Sequence, residues 1–271
     1  MFVSFSPIQF PQKEGPVLYL AKQNMLFLKP KKVAGTSFEI ALSVSASAQD
    51  IVTPISLEDE LIRLDYQGQM PINWSRQPEL ESTYVSLVQQ IQQLKNLDVV
   101  SDEIRTRRGL LKNLINIKGH RLYYNHIKPD QIKLNFGNDN FDNALKVTIT
   151  RHPYEQIVSQ AYWLSQAKHR REIPLKEIVD DLLNDPAPNT PYYFDGSQKL
   201  CDVYIKMENF ETDVKKLENQ IGIKIWDYLP ITKKSGSGSR PKATELLSSE
   251  QKVKVQQRST LEFELFEYDP S

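Results

Sequence analysis

The chain has 271 residues, 39% of them hydrophobic, and its 34 Lys plus Arg balance 34 Asp plus Glu. That balance excludes a global field drawing the protein to nucleic acid or to an anionic membrane, so any anion site must be local. The single cysteine, Cys201, excludes an internal disulfide framework and reads as a buried spare thiol in a reducing, cytoplasmic setting. Met1 to Pro11 has no basic region leading into an apolar run, and no segment approaches the ~18 apolar residues of a membrane span, so a soluble, untargeted chain is expected. The size suits one α/β domain over residues 1–271.

Two apolar runs, Val17 to Leu20 and Met25 to Leu28, flank Ala21-Lys22-Gln23-Asn24 and predict a hairpin or two adjacent strands. The second runs into Lys29-Pro30-Lys31-Lys32-Val33-Ala34-Gly35-Thr36-Ser37, after which Phe38, Ile40, Ala41, Leu42 and Val44 supply the apolar face of a helix. Ser56 with Asp59 forms a capping-box pattern before Leu57, Leu61, Ile62 and Leu64. Residues 79–97 and 101–117 read as an amphipathic helix pair packed on the main domain. A short strand is expected over His120 to Asn125, then a helix opened by Pro129 with Ile132 and Phe136 inward.

Leu145 to Thr150 is a β-rich run ending at Arg151-His152-Pro153, and Tyr154 to Lys168 carries apolar residues at helical spacing. Asp185 to Pro191 is a proline-rich loop; Val203 to Met207 predicts a strand and Phe210 to Gln220 a helix closed by Gly222. Ser-Gly repeats make Lys233 to Lys242 a mobile loop. Strands alternating with helices point to a central, mainly parallel sheet flanked by helices on both faces.

Two segments carry the chemistry. A strand, a loop with Lys32, then Ala34-Gly35-Thr36-Ser37 opening a helix would offer backbone N–H groups, two hydroxyls and a cation at one helix N-terminus, a phosphate cradle in which Gly35 lets the backbone approach the ligand. This is not a Walker A loop, because the lysine precedes the small residues. In Arg151-His-Pro-Tyr-Glu-Gln-Ile-Val-Ser159, an arginine at a strand end and a serine in the next helix are spaced to clamp a second phosphate.

In that order the two segments resemble the nucleotide motifs of sulfotransferases that use 3′-phosphoadenosine 5′-phosphosulfate (PAPS). Lys32, Ala34, Gly35, Thr36 and Ser37 resemble the 5′-phosphosulfate loop, Pro-Lys-x-x-Gly-Thr-Ser, although Lys31 separates Lys32 from Pro30 and either lysine is a candidate for the inward one. Arg151, Pro153 and Ser159 resemble the 3′-phosphate motif, in which Gln156 stands where an arginine is frequent. The resemblance implies a P-loop-NTPase-like sulfotransferase fold with a helical insertion, here about 52–118, shaping the site of a hydroxyl acceptor, expected to be a carbohydrate. It also implies that Asn125-His126-Ile127 holds the base, that Lys32 stabilises the leaving oxygen, that Arg240 in the glycine-rich loop closes on the 3′-phosphate, and that Phe266-Glu267-Tyr268 stands for a Phe-Gly-Tyr ending. His120, Glu58 and Glu81 are rival bases, whereas His152 and Glu208 read as structural. His120, His126, His152 and His169 form no metal-ligand pair, so no metal is expected. The competing readings are a P-loop-type small-molecule kinase, which would need a lysine after the glycine, and a non-catalytic nucleotide- or glycan-binding protein. Tyr123, Tyr124, Trp163, Tyr192 and Tyr193 are either sugar-stacking faces or core.

Overall fold

The computed structural model describes residues 18–96, 101–116, 120–124, 126–166, 172–230 and 241–270. Their elements are β1 (Leu18–Leu20), β2 (Met25–Leu28), α1 (Gly35–Ser43), β3 (Ile51–Val52), α2 (Leu57–Asp65), α3 (Pro78–Asn96), α4 (Ser101–Asn116), α5 (Pro129–Phe136), α6 (Asn138–Asn143), β4 (Leu145–Thr150), α7 (Pro153–Ser165), α8 (Leu175–Leu183), α9 (Thr190–Tyr193), β5 (Phe194–Asp195), β6 (Gln198–Lys199), β7 (Val203–Lys206), α10 (Phe210–Ile221), α11 (Ala243–Leu246), α12 (Ser249–Arg258) and α13 (Thr260–Phe266).

Among the described residues the main sheet has five strands in the order β3-β1-β2-β4-β7. Its pairing is mixed rather than mainly parallel: β1 is antiparallel to both β2 and β3, whereas β2–β4 and β4–β7 are parallel. The correction has a local cause. Ala21 to Asn24 is too short for a crossover helix, so β1 and β2 must reverse, and the turn closes with Asn24 N–H donating to Ala21 O at 3.1 Å and Asn24 at φ 46°.

Side-chain alternation covers both faces. Met25 and Phe27 join Val147, Ile149 and Ile205 under α1 and α10, while Leu26 and Leu28 join the core built with Ile51, Val88, Ile91, Ile132 and Phe136. Each such fully buried side chain contributes about 1.5–3 kcal/mol. The helix pair α3–α4 packs on this second core through Tyr84, Val88, Ile91 and Leu111, as the amphipathic pattern predicts. Ser56 caps α2, its Oγ accepting from Asp59 N–H at 3.3 Å and donating to the Asp59 carboxylate at 2.7 Å.

The strand predicted over His120 to Asn125 does not form among the described residues. Residues 120–123 instead lie against the 74–76 turn: Arg76 N–H donates to His120 O, and Leu122 and Tyr123 N–H both donate to Trp74 O, leaving a single bridge, Ser75 to Arg121. The backbone is satisfied by a loop, so no sheet partner is required.

At the C-terminal end, α13 stops at Glu267, which adopts φ 56°, ψ 43°. The tail then docks on β4 and α7, with Tyr268 OH donating to Thr150 Oγ1 at 2.9 Å and Tyr154 OH to Pro270 O at 2.8 Å. A left-handed cap suits glycine better than a residue with a Cβ. Glu267→Gly is therefore expected to stabilise the fold by about 0.5–1 kcal/mol, read as a rise of roughly 1–4 °C in the melting midpoint.

Candidate anion-binding and catalytic site

Four strands, β2, β3, β4 and β7, run in one direction, so their carboxyl ends release residues 29–34, 53–56, 151–152 and 207–209 along one edge of the sheet. This is where an open α/β sheet collects ligands.

The loop after β2 is tightly wound: Lys32 and Ala34 take φ 63° and 59°, and Ala34 leads into α1 with no side chain capping that helix. The N–H groups of Gly35 and Thr36 at this end point out of the helix without an intrahelical partner, the arrangement in which helix N-termini receive anions. Thr36 and Ser37 are half-buried in that turn. Packing makes its own demand for glycine at position 35. A Cβ there would sit 2.9 Å from Cγ of Lys29, whose aliphatic stem passes beneath the loop.

The three lysines of the loop have different fates. Lys31 is exposed, and its backbone is held from both sides by buried Asn189, which accepts from Lys31 N–H at 2.8 Å and donates to Lys31 O at 2.9 Å. Lys32 is half-buried, with Nζ 5.3 Å from the centroid of the Trp163 ring on α7. Lys29 is fully buried and paired with Glu39 at 2.5 Å.

Arg151, at the end of β4, reaches the same loop: its Nη1 donates to Lys32 O at 3.3 Å, and its Nη2 lies 3.3 Å from Glu155 Oε2. Ser159 is buried two turns into α7, and its hydroxyl makes no hydrogen bond among the described residues; Trp163 lies one turn further on the same helix face. Lys32 is thus linked to Arg151 through its carbonyl and to α7, the helix that carries Ser159, through the Trp163 ring. Arg240 lies outside the described residues.

His126 meets the start of the same loop at Lys29. It adopts φ 63°, its ring Nδ1 is 3.0 Å from Lys29 O, and its own carbonyl accepts from Tyr192 OH at 2.5 Å. A carbonyl can only accept, so Nδ1 carries the proton and Nε2 keeps a lone pair. Burial pushes the His126 pKa down to about 4, and the neighbouring Lys29 charge adds to this against the opposing pull of the Lys29 carbonyl; Lys31 and Lys32 lower it further. The imidazole is neutral at pH 7 and able to accept a proton. Lys32, Ala34 and His126 are three of the seven non-glycine residues with positive φ among the described residues.

The two rival glutamates have partners of their own, and His120 is held by its backbone. His120 lies with its carbonyl bound to Ser75 and Arg76. Glu81 accepts from the N–H groups of Asn73 and Ser75, and burial raises its pKa; Glu58 pairs with Arg108 at 3.1 Å. His152 caps α7 through Nδ1, which accepts from Tyr154 N–H, and bonds Asp269 O through Nε2, while Glu208 accepts from His152 N–H at 2.8 Å. These contacts tie the start of α7 to the C-terminal tail and to the segment after β7. Tyr123, Tyr192 and Tyr193 are core, and Cys201 is buried with its thiol pKa pushed upward by burial. Tyr124 and Trp163 keep exposed faces.

A cleft of about 260 Å³ opens between Pro54–Ser56, Ile115 and Arg121–Tyr124, and shares Ile55, Ser56 and Ile115 with a second hollow of about 330 Å³ along α4. The helical segment therefore walls a cavity that reaches the residues just before His126.

The chain matches no protein-family model, no curated protein and no solved structure. The site stands on its own residues. Sequence reasoning missed Lys29, Asn189, Glu39 and Arg63. Glu39 had a signal, a carboxylate between Phe38 and Ile40 in an apolar helix, which asks for a buried cation. Asn189 lies in a proline-rich loop far along the chain and had none.

Proposed function

We propose that the protein is a sulfotransferase that moves a sulfuryl group from PAPS to a hydroxyl of a carbohydrate acceptor. The observation that carries this reading is the pair of contacts on opposite sides of one loop: Lys29 O receives His126 Nδ1–H, and Lys32 O receives Arg151. A base and a second anion ligand are thereby held against one uncapped helix N-terminus.

In this reading Lys32 and the first-turn amides of Ala34 to Ser37 hold the 5′-phosphosulfate, and Arg151 with Ser159 holds the 3′-phosphate. The residues fit such a ligand. The α1 terminus has no side-chain cap, the Ser159 hydroxyl is unpartnered among the described residues, and the Arg151 guanidinium stands at the same loop, 3.3 Å from Lys32 O. A 3′-phosphate must compete with Glu155 for the guanidinium.

His126 Nε2 takes the proton of the acceptor hydroxyl as that oxygen forms its bond to sulfur. The bond from sulfur to the 5′-phosphate oxygen breaks in line, and the leaving oxygen carries its charge away beside Lys32. The cleft next to Tyr124 receives the sugar, with the exposed ring as a stacking face.

The test uses PAPS labelled in the sulfuryl group with a panel of saccharides, and γ-labelled ATP in parallel. Label passing from PAPS to a saccharide supports the proposal. Label passing from ATP and not from PAPS overturns it in favour of a kinase.

A further inference from the structure

Beneath the anion loop lies a buried group of four charges that the proposed chemistry does not touch. Lys29 and Glu39 pair at 2.5 Å, Glu39 and Arg63 at 3.3 Å, and Arg63 and Glu60 at 2.7 Å, with all four side chains at 0–1% exposure. Two cations and two anions cancel. Thr53 Oγ1 donates to Glu39, Arg63 Nη1 donates to Thr53 O, and Glu60 Oε1 accepts from Ile55 N–H and Tyr84 OH.

We propose that Lys29 is a positioning residue for His126: the buried network anchors its side chain so that its carbonyl fixes the imidazole as the Nδ1–H tautomer, with Nε2 free to accept. The catalytic meaning of that tautomer rests on the proposed function, but the tether itself does not. Lys29 leaves the end of β2 with its side chain running under Gly35, where there is no Cβ to obstruct it, to reach α1. Its backbone is consequently pinned by a side chain bonded to a different element, and the carbonyl so placed is the partner of the His126 ring. The same network holds Thr53 and Ile55, so the wall of the cleft and the histidine are set by one rigid unit.

The pair can be removed without leaving a buried net charge, because Arg63 and Glu60 remain matched. Lys29→Met/Glu39→Leu replaces it with apolar residues of similar size, which folded cores tolerate. Lys29→Gln/Glu39→Gln keeps a neutral hydrogen bond in its place. The primary readout is nitrogen NMR of ring-labelled histidine at pH 7 in the full chain, assigned by loss of the His126 signal in His126→Gln.

The wild type and the Gln/Gln variant are expected to show the Nδ1–H tautomer, and the Met/Leu variant the Nε2–H tautomer or a mixture. With a turned-over acceptor, kcat of Met/Leu should fall about 100-fold while the affinity for 3′-phosphoadenosine 5′-phosphate changes little. An Nε2–H wild type overturns the proposal even if neither variant folds, as does a folded Met/Leu variant that keeps the wild-type tautomer. A protein that fails to bind the nucleotide yet shows the expected tautomers would overturn the proposed function and leave the tether standing.

Discussion

His126→Ala is expected to lower kcat by about 10²–10⁴-fold, the usual contribution of a positioned general base, while leaving the affinity for 3′-phosphoadenosine 5′-phosphate within about twofold. Its carbonyl, not its ring, makes the bond to Tyr192, so the loop position survives the substitution. The pH dependence carries a sign. With its pKa lowered from 6.5 to about 4, His126 is already deprotonated in the free protein above pH 5, so the acid limb of kcat/KM should lie near 4 and vanish in the variant. Bound donor places negative charge against Lys29, Lys31 and Lys32, whose fields help to depress the histidine, so the acid limb of kcat should lie at higher pH than that of kcat/KM. The same shift acts on stability. Between pH 6.5 and about 4 the unfolded chain binds a proton here that the folded chain does not, so stability falls as pH drops through that window, by up to roughly 3 kcal/mol. Denaturant titrations of wild type and His126→Gln at pH 7 and pH 4.5 would read this loss; an identical pH response in both proteins contradicts the lowered pKa.

Lys32→Ala is expected to reduce kcat by about 10²–10³-fold, because the ammonium is asked to hold charge that develops on the leaving oxygen. Arg151→Ala removes a ligand remote from the breaking bond and should appear chiefly as weaker donor affinity, which separates ground-state binding from transition-state stabilisation. Lys31→Ala is the control. Its side chain is exposed and its backbone is held by Asn189, so turnover should stay within about threefold of wild type. A larger loss in Lys31→Ala than in Lys32→Ala would show that the inward lysine is Lys31.

Much of the architecture was legible because it rests on local patterns. The unbroken apolar run Met25 to Leu28 marked β2 and the β-rich run Leu145 to Thr150 marked β4, Ser56 and Pro129 marked helix starts, and Gly222 marked the left-handed end of α10. The strand expected over 120–125 failed because its backbone partners, Trp74 and Arg76, are distant in sequence, and periodicity does not report a loop that pairs with a turn. At Gly35 the sequence suggests only close approach of a ligand, and the structure adds a packing demand, the stem of Lys29 lying 2.9 Å from where a Cβ would stand. The sequence context alone favours His126 over His120; what it does not show is that the His126 ring meets the Lys29 carbonyl, a contact between residues 97 positions apart. Buried ion pairs such as Glu39 with Arg63 and Lys29 are long-range facts, readable beforehand only as carboxylates and cations in apolar surroundings.

Calorimetric titration with the desulfated donor, 3′-phosphoadenosine 5′-phosphate, tests the central claim most directly, because it needs no acceptor. The account predicts saturable binding to the wild type, weakened about tenfold or more by Lys32→Ala and by Arg151→Ala and unaffected by His126→Ala. A folded wild type that binds no nucleotide, or binds it equally well after both cations are removed, would contradict it.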